Sequence, residues 1–71
     1  MSNIQRIEFM RDKKWDADGC RNFMYHLGIK PIKRVKKTKE HFIYTIAELE
    51  DKELNKSTSS KLDMSMYFFK E

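Results

Sequence analysis

The chain reads as a small α+β domain: one mostly antiparallel sheet with one main helix packed on one face, in the order β-α-β-β-(α)-β. Three observations predict it. Residues 4–10 and 62–69 alternate apolar and polar side chains with the two-residue period of a half-buried strand. Between them, Ala17, Cys20, Phe23, Met24 and Leu27 recur every three to four residues, the stripe of an amphipathic helix. Residues 32–47 form two further extended runs joined by the polar KTKE.

In chain order, the first strand is IQRIEFM, with Ile7 and Phe9 on one face and Arg6 and Glu8 on the other. RDKK is a polar connection. The helix is expected over 17–27: Asp16 is a good N-cap, Gly28 stands where a C′ residue belongs, and Pro31 follows where a helix cannot continue. Gly19 weakens it by up to ~1 kcal/mol relative to alanine. A basic β-hairpin, 32–47, comes next, with strands at Ile32–Lys36 and His41–Ala47. Its turn lacks an Asn-Gly or Asp-Gly signature. Phe42, Tyr44 and Ile46 share one face of the second of these strands and Ile43, Thr45 and Ala47 the other, which suits a strand inside the sheet.

Residues 48–61 are an acidic and polar connection. Leu49 and Leu54 would anchor a short helix there, helped by a Glu48–Lys52 pair. The closing strand, 62–69, turns Leu62, Met64, Met66 and Phe68 inward. Met10 and Tyr67 are left as exposed apolar surface.

At 71 residues the chain makes one domain, near the lower limit for folding without disulfides or metal. Little room remains for a cleft of the few hundred cubic ångströms that small-molecule sites need. A binding role therefore ranks ahead of catalysis, and no enzymatic activity is expected. Cys20 is the only cysteine, which excludes an intrachain disulfide and fits a reducing compartment. MSNIQRIEFMRDKK contains no apolar run of the signal-peptide kind, and no stretch approaches the ~20 apolar residues of a membrane span. No membrane association is expected.

The charge is what points to a partner. The net charge is +4, but residues 29–46 hold six cations against one acid, Glu40, while residues 47–71 are net acidic. Lys30, Lys33, Arg34, Lys36, Lys37 and Lys39 can each neutralise a phosphate, and such contacts supply most non-specific affinity for nucleic acid. Tyr44, with Phe42 and His41 nearby, offers surfaces on which bases could stack. Lysines on a hairpin also discourage edge-to-edge aggregation, and Phe42 and Tyr44 also suit a core. Parity places Lys33 and Lys37 on one sheet face and Arg34 and Lys36 on the other.

Other constellations carry less. His26, His41 and Cys20 do not share a face at metal-ligand spacing, so no metal is expected. Cys20 reads as a small core residue. Asp16 and Asp18 are explained by helix capping and the helix dipole. Two glycines in the whole chain exclude a glycine-rich phosphate loop, and no cofactor is expected. Trp15, just before the cap, occupies the position of a hydrophobic staple.

The stretch CRNFMYHLGIKPIKRVKKTKEHFIYTI resembles a theme in uncharacterised small basic proteins of bacteriophages and large eukaryotic DNA viruses. There a strand ending in Phe leads to an aromatic-opened helix, a Gly-x-Lys-Pro-Ile-Lys-Arg-Val turn, Lys-Thr-Lys and an aromatic strand. The matching residues are Phe9, Trp15, Cys20, Phe23 and Met24, then Gly28, Lys30, Pro31, Ile32, Lys33 and Arg34. Lys37, Thr38, Lys39, Tyr44 and Ile46 complete them. The match runs from about 4 to 46. Ile43 and Thr45 stand where the theme has arginines, and the apolar-glycine pair that opens its last strand is missing. The resemblance implies the fold and a viral origin, hence the cytoplasm or nucleus of an infected cell, or the virion.

Together these readings favour a viral accessory protein that binds DNA or RNA non-specifically through the basic hairpin. The alternative is an interaction or virion structural module that docks onto a larger viral or host protein. A homo-oligomer is plausible under either, by pairing through the LDMSMYFF edge.

Overall fold

The computed structural model describes residues 3–13, 15–48 and 52–70. It contains β1 (Ile4–Met10), α1 (Ala17–His26), β2 (Lys36–Lys37), β3 (His41–Thr45), β4 (Leu54–Ser59) and β5 (Met64–Phe69). The strands form one antiparallel sheet in the order β2-β3-β1-β5-β4, with α1 against one face. The fold is therefore the α+β class that the sequence predicts, with β1 at the centre.

β1 resolves a conflict of phase in its own sequence. Ile7 and Phe9 alternate correctly, but Ile4 falls on the wrong parity to join them. A register shift between Ile4 and Arg6 inserts one extra residue, so Ile4, Ile7 and Phe9 all enter the core. The amides of Ile46 and Ala47 both donate to the Gln5 carbonyl at this irregularity.

The helix begins and ends as its sequence dictates. The Gly19 amide donates to the Asp16 carboxylate at 2.7 Å, satisfying one orphan donor of the first turn. Trp15 folds back as a staple: its ring lies 5.5 Å from that of Phe23 and 4.6 Å from that of Phe9, centroid to centroid. At the other end Gly28 takes φ +70°, its amide donates to the Tyr25 carbonyl, and the Ile29 amide donates to the Met24 carbonyl. That is a Schellman turn, in which the residue after the glycine packs back on the last apolar residue of the helix. Ile29 does pack on the core, so the chain leaves the helix in a fixed direction. Leu27, predicted to face inward as the last helical residue, is instead the cap residue and half exposed.

Three expectations need correction. The first hairpin strand, expected over Ile32–Lys36, shrinks to Lys36–Lys37. The Ile32 amide donates to the Thr45 carbonyl, but the chain then bends away from β3 until Lys36 pairs with Ile43. Pro31 has no amide to give a ladder, and Val35 turns inward onto the core. The hairpin closes through Thr38, whose hydroxyl accepts from the His41 amide; neither Lys39 nor Glu40 has the positive φ of a primed turn.

Second, the possible helix within 48–61 is replaced by β4. Leu49 lies outside the described residues, and Glu48 pairs with Lys33 rather than Lys52. The segment LNKSTS has little intrinsic strand preference; it is extended because its backbone pairs with β5 along all six residues. Asp63, at φ 53°, closes the β4–β5 connection in a conformation that aspartate tolerates better than most residues. Leu62, expected to face inward, sits in that connection and is exposed.

Third, the closing strand has no free edge for self-pairing. β5 lies between β1 and β4, and the sheet's edges are β2 and β4.

The core is Ile4, Ile7 and Phe9 of β1 with Phe42 and Tyr44 of β3, Met64 of β5, and Cys20 and Met24 of α1. Among the described residues, the opposite face of the sheet carries no helix. There Arg6 stacks over the Tyr67 ring at 3.7 Å and pairs with Glu8 at 3.0 Å. Tyr67, expected to be exposed, is half covered by that guanidinium. No helix among the described residues is long and apolar enough to cross a membrane.

Candidate functional site

The direction imposed by Gly28 and Ile29 lays residues 29–35 alongside α1, and an open groove of about 620 Å³ lies between the two. A cleft of this size was not expected from so short a chain.

The floor of the groove is apolar, made by Met24, Ile29, Pro31 and Val35. Its walls bear five cations: Lys30, Lys33, Arg34 and Lys37 from the loop and β2, and Arg21 from the helix. No carboxylate among the described residues lines it. Arg21 pairs with Asp18 and Lys33 with Glu48, both at exposed positions. Lys30, Arg34 and Lys37 make no ion pair among the described residues. Exposed pairs of this kind are worth ~0–1 kcal/mol and are screened by salt, so an incoming anion can displace them.

The structure thus gathers four of the six predicted cations and separates two. Lys36 is directed to the opposite sheet face, across from Ile43, and Lys39 sits in the β2–β3 turn. The parity grouping of Arg34 with Lys36 fails because the chain bends before β2, which leaves Arg34 on the groove side. Ile43 and Thr45 lie on the face away from the groove, opposite Glu8 and Arg6, so the arginines missing there take no charge from it.

Tyr44 needs a changed role. It is only 4 % exposed, with its ring 5.8 Å from that of Phe9, so no base can stack on it. Phe42 is buried as well, beneath Arg11. Burial pushes the Tyr44 phenol above its ordinary pKa; proximity to Cys20 adds to this and Arg21 opposes it. The hydroxyl therefore stays neutral and has no hydrogen-bond partner among the described residues, which suits it to donate to an anion.

The residues that sequence reasoning missed are Arg21 and Tyr25. Ala17, Arg21 and Tyr25 stand four apart and form one row along the helix, beside the buried row of Cys20 and Met24. Tyr25 is 81 % exposed, the most exposed large apolar side chain among the described residues, with His26 beside it. The row was visible in the sequence as a helix flank that is neither core nor uniformly charged. Its importance depends on which loop lies against it.

Elsewhere the chemistry is closed. On the open sheet face Arg6 is paired with Glu8, which also accepts a long hydrogen bond from Tyr67. Among the described residues no three His, Cys, Asp or Glu side chains cluster as metal ligands would. Cys20 is fully buried; burial, with Asp16 adding to it, pushes its thiol from 9.0 to about 12. A thiol held in that form is a poor nucleophile. It also makes stability depend on pH. Below pH 9 both folded and unfolded chains keep the proton and the contribution is fully present; between 9 and 12 only the unfolded chain ionises, so stability falls. Alkaline titration of the urea midpoint should show this fall, and a Cys20→Ala variant should show less of it. An equally steep fall in the variant would assign the effect to other groups.

Compared with known proteins, the chain matches no family model, no curated protein and no solved structure.

Proposed function

We propose that this protein binds nucleic acid without sequence specificity, through the groove between α1 and residues 29–37. The observation that carries the reading is the convergence of Arg21, Lys30, Lys33, Arg34 and Lys37 on one groove that no carboxylate among the described residues lines. Like charges brought together cost free energy in the free protein, and a polyanion relieves that cost while releasing its own counterions. The open sheet face gathers fewer cations: there Arg6 is paired with Glu8, which leaves Lys36 and Lys56. The likeness to small viral basic proteins favours an accessory role in genome packaging, replication or transcription.

The test is fluorescence-anisotropy titration with labelled oligonucleotides across a range of salt. Binding is expected in the micromolar range at low salt, with log K falling against log salt by roughly 0.7–0.9 per phosphate contacted. A Lys30→Gln, Arg34→Gln, Lys37→Gln variant should lose affinity by roughly tenfold or more, since each substitution removes one phosphate contact. A Lys36→Gln, Lys39→Gln variant should lose far less, because those two cations lie away from the groove. Equal losses per charge in the two variants would reduce the effect to net charge and remove the groove from the account.

A further inference from the structure

From the chemistry of the groove we infer that its ligand is an unpaired polynucleotide strand, with a base stacked on Tyr25 and the flanking phosphates held by Lys30, Arg34 and Lys37. The inference rests on the nucleic-acid reading above and narrows it to one class of ligand.

The groove is of mixed character. Phosphate neutralisation alone would need only the cations. Here they rim an apolar floor of Met24, Ile29, Pro31 and Val35. Beside that floor stands Tyr25, a large ring left 81 % exposed at the cost of apolar area in contact with water. A duplex presents phosphates on its outside and keeps its bases stacked within, so the floor and Tyr25 would stay hydrated against it. An unpaired nucleotide carries both parts in one unit, a flat ring with little polarity on its faces and an anionic phosphate on each side. It can therefore satisfy the ring, the floor and the rim together.

Two further features agree. The Tyr44 hydroxyl lines the groove, has no hydrogen-bond partner among the described residues and can donate to a phosphate or base oxygen. Tyr25 lies one helical turn from Arg21, so a strand following the helix flank meets the ring and a guanidinium at successive steps. Stacking on an aromatic platform bordered by cations is how single strands are commonly held without sequence preference.

The experiment compares an oligothymidylate of about 20 nucleotides with a duplex of the same length, long enough to span a single-strand site. Polyglutamate serves as a competitor. The proteins are the full chain, Tyr25→Ala and Tyr25→Phe. Tyr25 makes no buried contact that its loss would remove, so the variants keep the fold. The single strand should bind the full chain at least tenfold more tightly than the duplex. Tyr25→Ala should weaken the single strand by roughly five- to a hundredfold, the range for one stacked base, leave the duplex unchanged, and be rescued by Tyr25→Phe. Equal affinity for strand and duplex, with Tyr25→Ala moving neither, would overturn the inference while leaving the phosphate-binding groove in place. Binding of neither, or displacement of both by polyglutamate at matched charge, would overturn the nucleic-acid reading as well and turn the groove toward acidic polypeptides.

Discussion

Replacing Phe9 by alanine is expected to cost about 3–5 kcal/mol, the range for deleting a fully buried aromatic side chain. Phe9 is 0 % exposed and sits on the central strand, with partners on both sides of it, Phe42 across β3 and Met64 across β5. Its ring meets three others edge-on: Trp15 at 4.6 Å, Phe23 at 5.8 Å and Tyr44 at 5.8 Å. Such pairs are each worth ~0.5–1.5 kcal/mol beyond the area they bury. A domain of this length has roughly 4–10 kcal/mol of total stability, so the substitution takes away a large share of it. The midpoint of urea unfolding followed by circular dichroism would report the loss. A cost below ~2 kcal/mol would mean that the helix and β3 can collapse into the space, and the core would not be organised around this ring.

The fold and the site differ in how far the amino-acid sequence discloses them, and particular residues show why. α1 is legible because three independent local signals agree: the Asp16 cap, the 3.6-residue stripe and Gly28. β1 beyond its bulge and β3 are legible because one of their faces is buried and the alternation records it. β5 buries Met64 on one face and Ser65 and Phe69 on the other, and is legible mainly from its apolar content. β4 is not, since Asn, Lys, Ser and Thr at a sheet edge bury almost nothing and leave no period to read. Its extended form is imposed by β5, a tertiary effect that no local propensity encodes.

The groove divides in the same way. The cation cluster is a property of composition and stands out at once. Which cations act together depends on a bend after Pro31 that changes the side from which Arg34 projects. The contribution of Arg21 and Tyr25 depends on the loop that lies against the helix. That placement is set by the Schellman turn at the helix's C-terminal end, in which the Tyr25 carbonyl itself takes part. Local signals gave the parts, and long-range packing decided the assembly. Tyr44 shows the opposite error: an aromatic beside cations in sequence is drawn into the core by its register with Ile7.

Trp15 ties this geometry to stability, and its replacement by alanine should have the second-largest effect, about 3 kcal/mol. The ring is only half buried, which places the cost at the low end of the range for large aromatics. Two of its contacts are to Phe9 and Phe23, and its indole Nε1 donates to the Leu62 carbonyl at 2.6 Å. It therefore joins the start of the helix to the β4–β5 connection. Trp15→Phe keeps a ring in the same place and loses only the hydrogen bond, worth ~0.5–1.5 kcal/mol; the Leu62 carbonyl is exposed and can turn to water. Trp15 is the only tryptophan, so both variants must be followed by circular dichroism rather than by fluorescence. The clasp lies at the opposite end of α1 from the Schellman turn that builds the groove. A folded Trp15→Ala chain should therefore bind oligonucleotide within about threefold of the parent, since none of the phosphate-binding side chains has been touched. A much larger loss of affinity in the folded variant would mean that the groove depends on the whole helix being held from both ends, with Arg21 and Tyr25 placed by Trp15 as much as by Gly28.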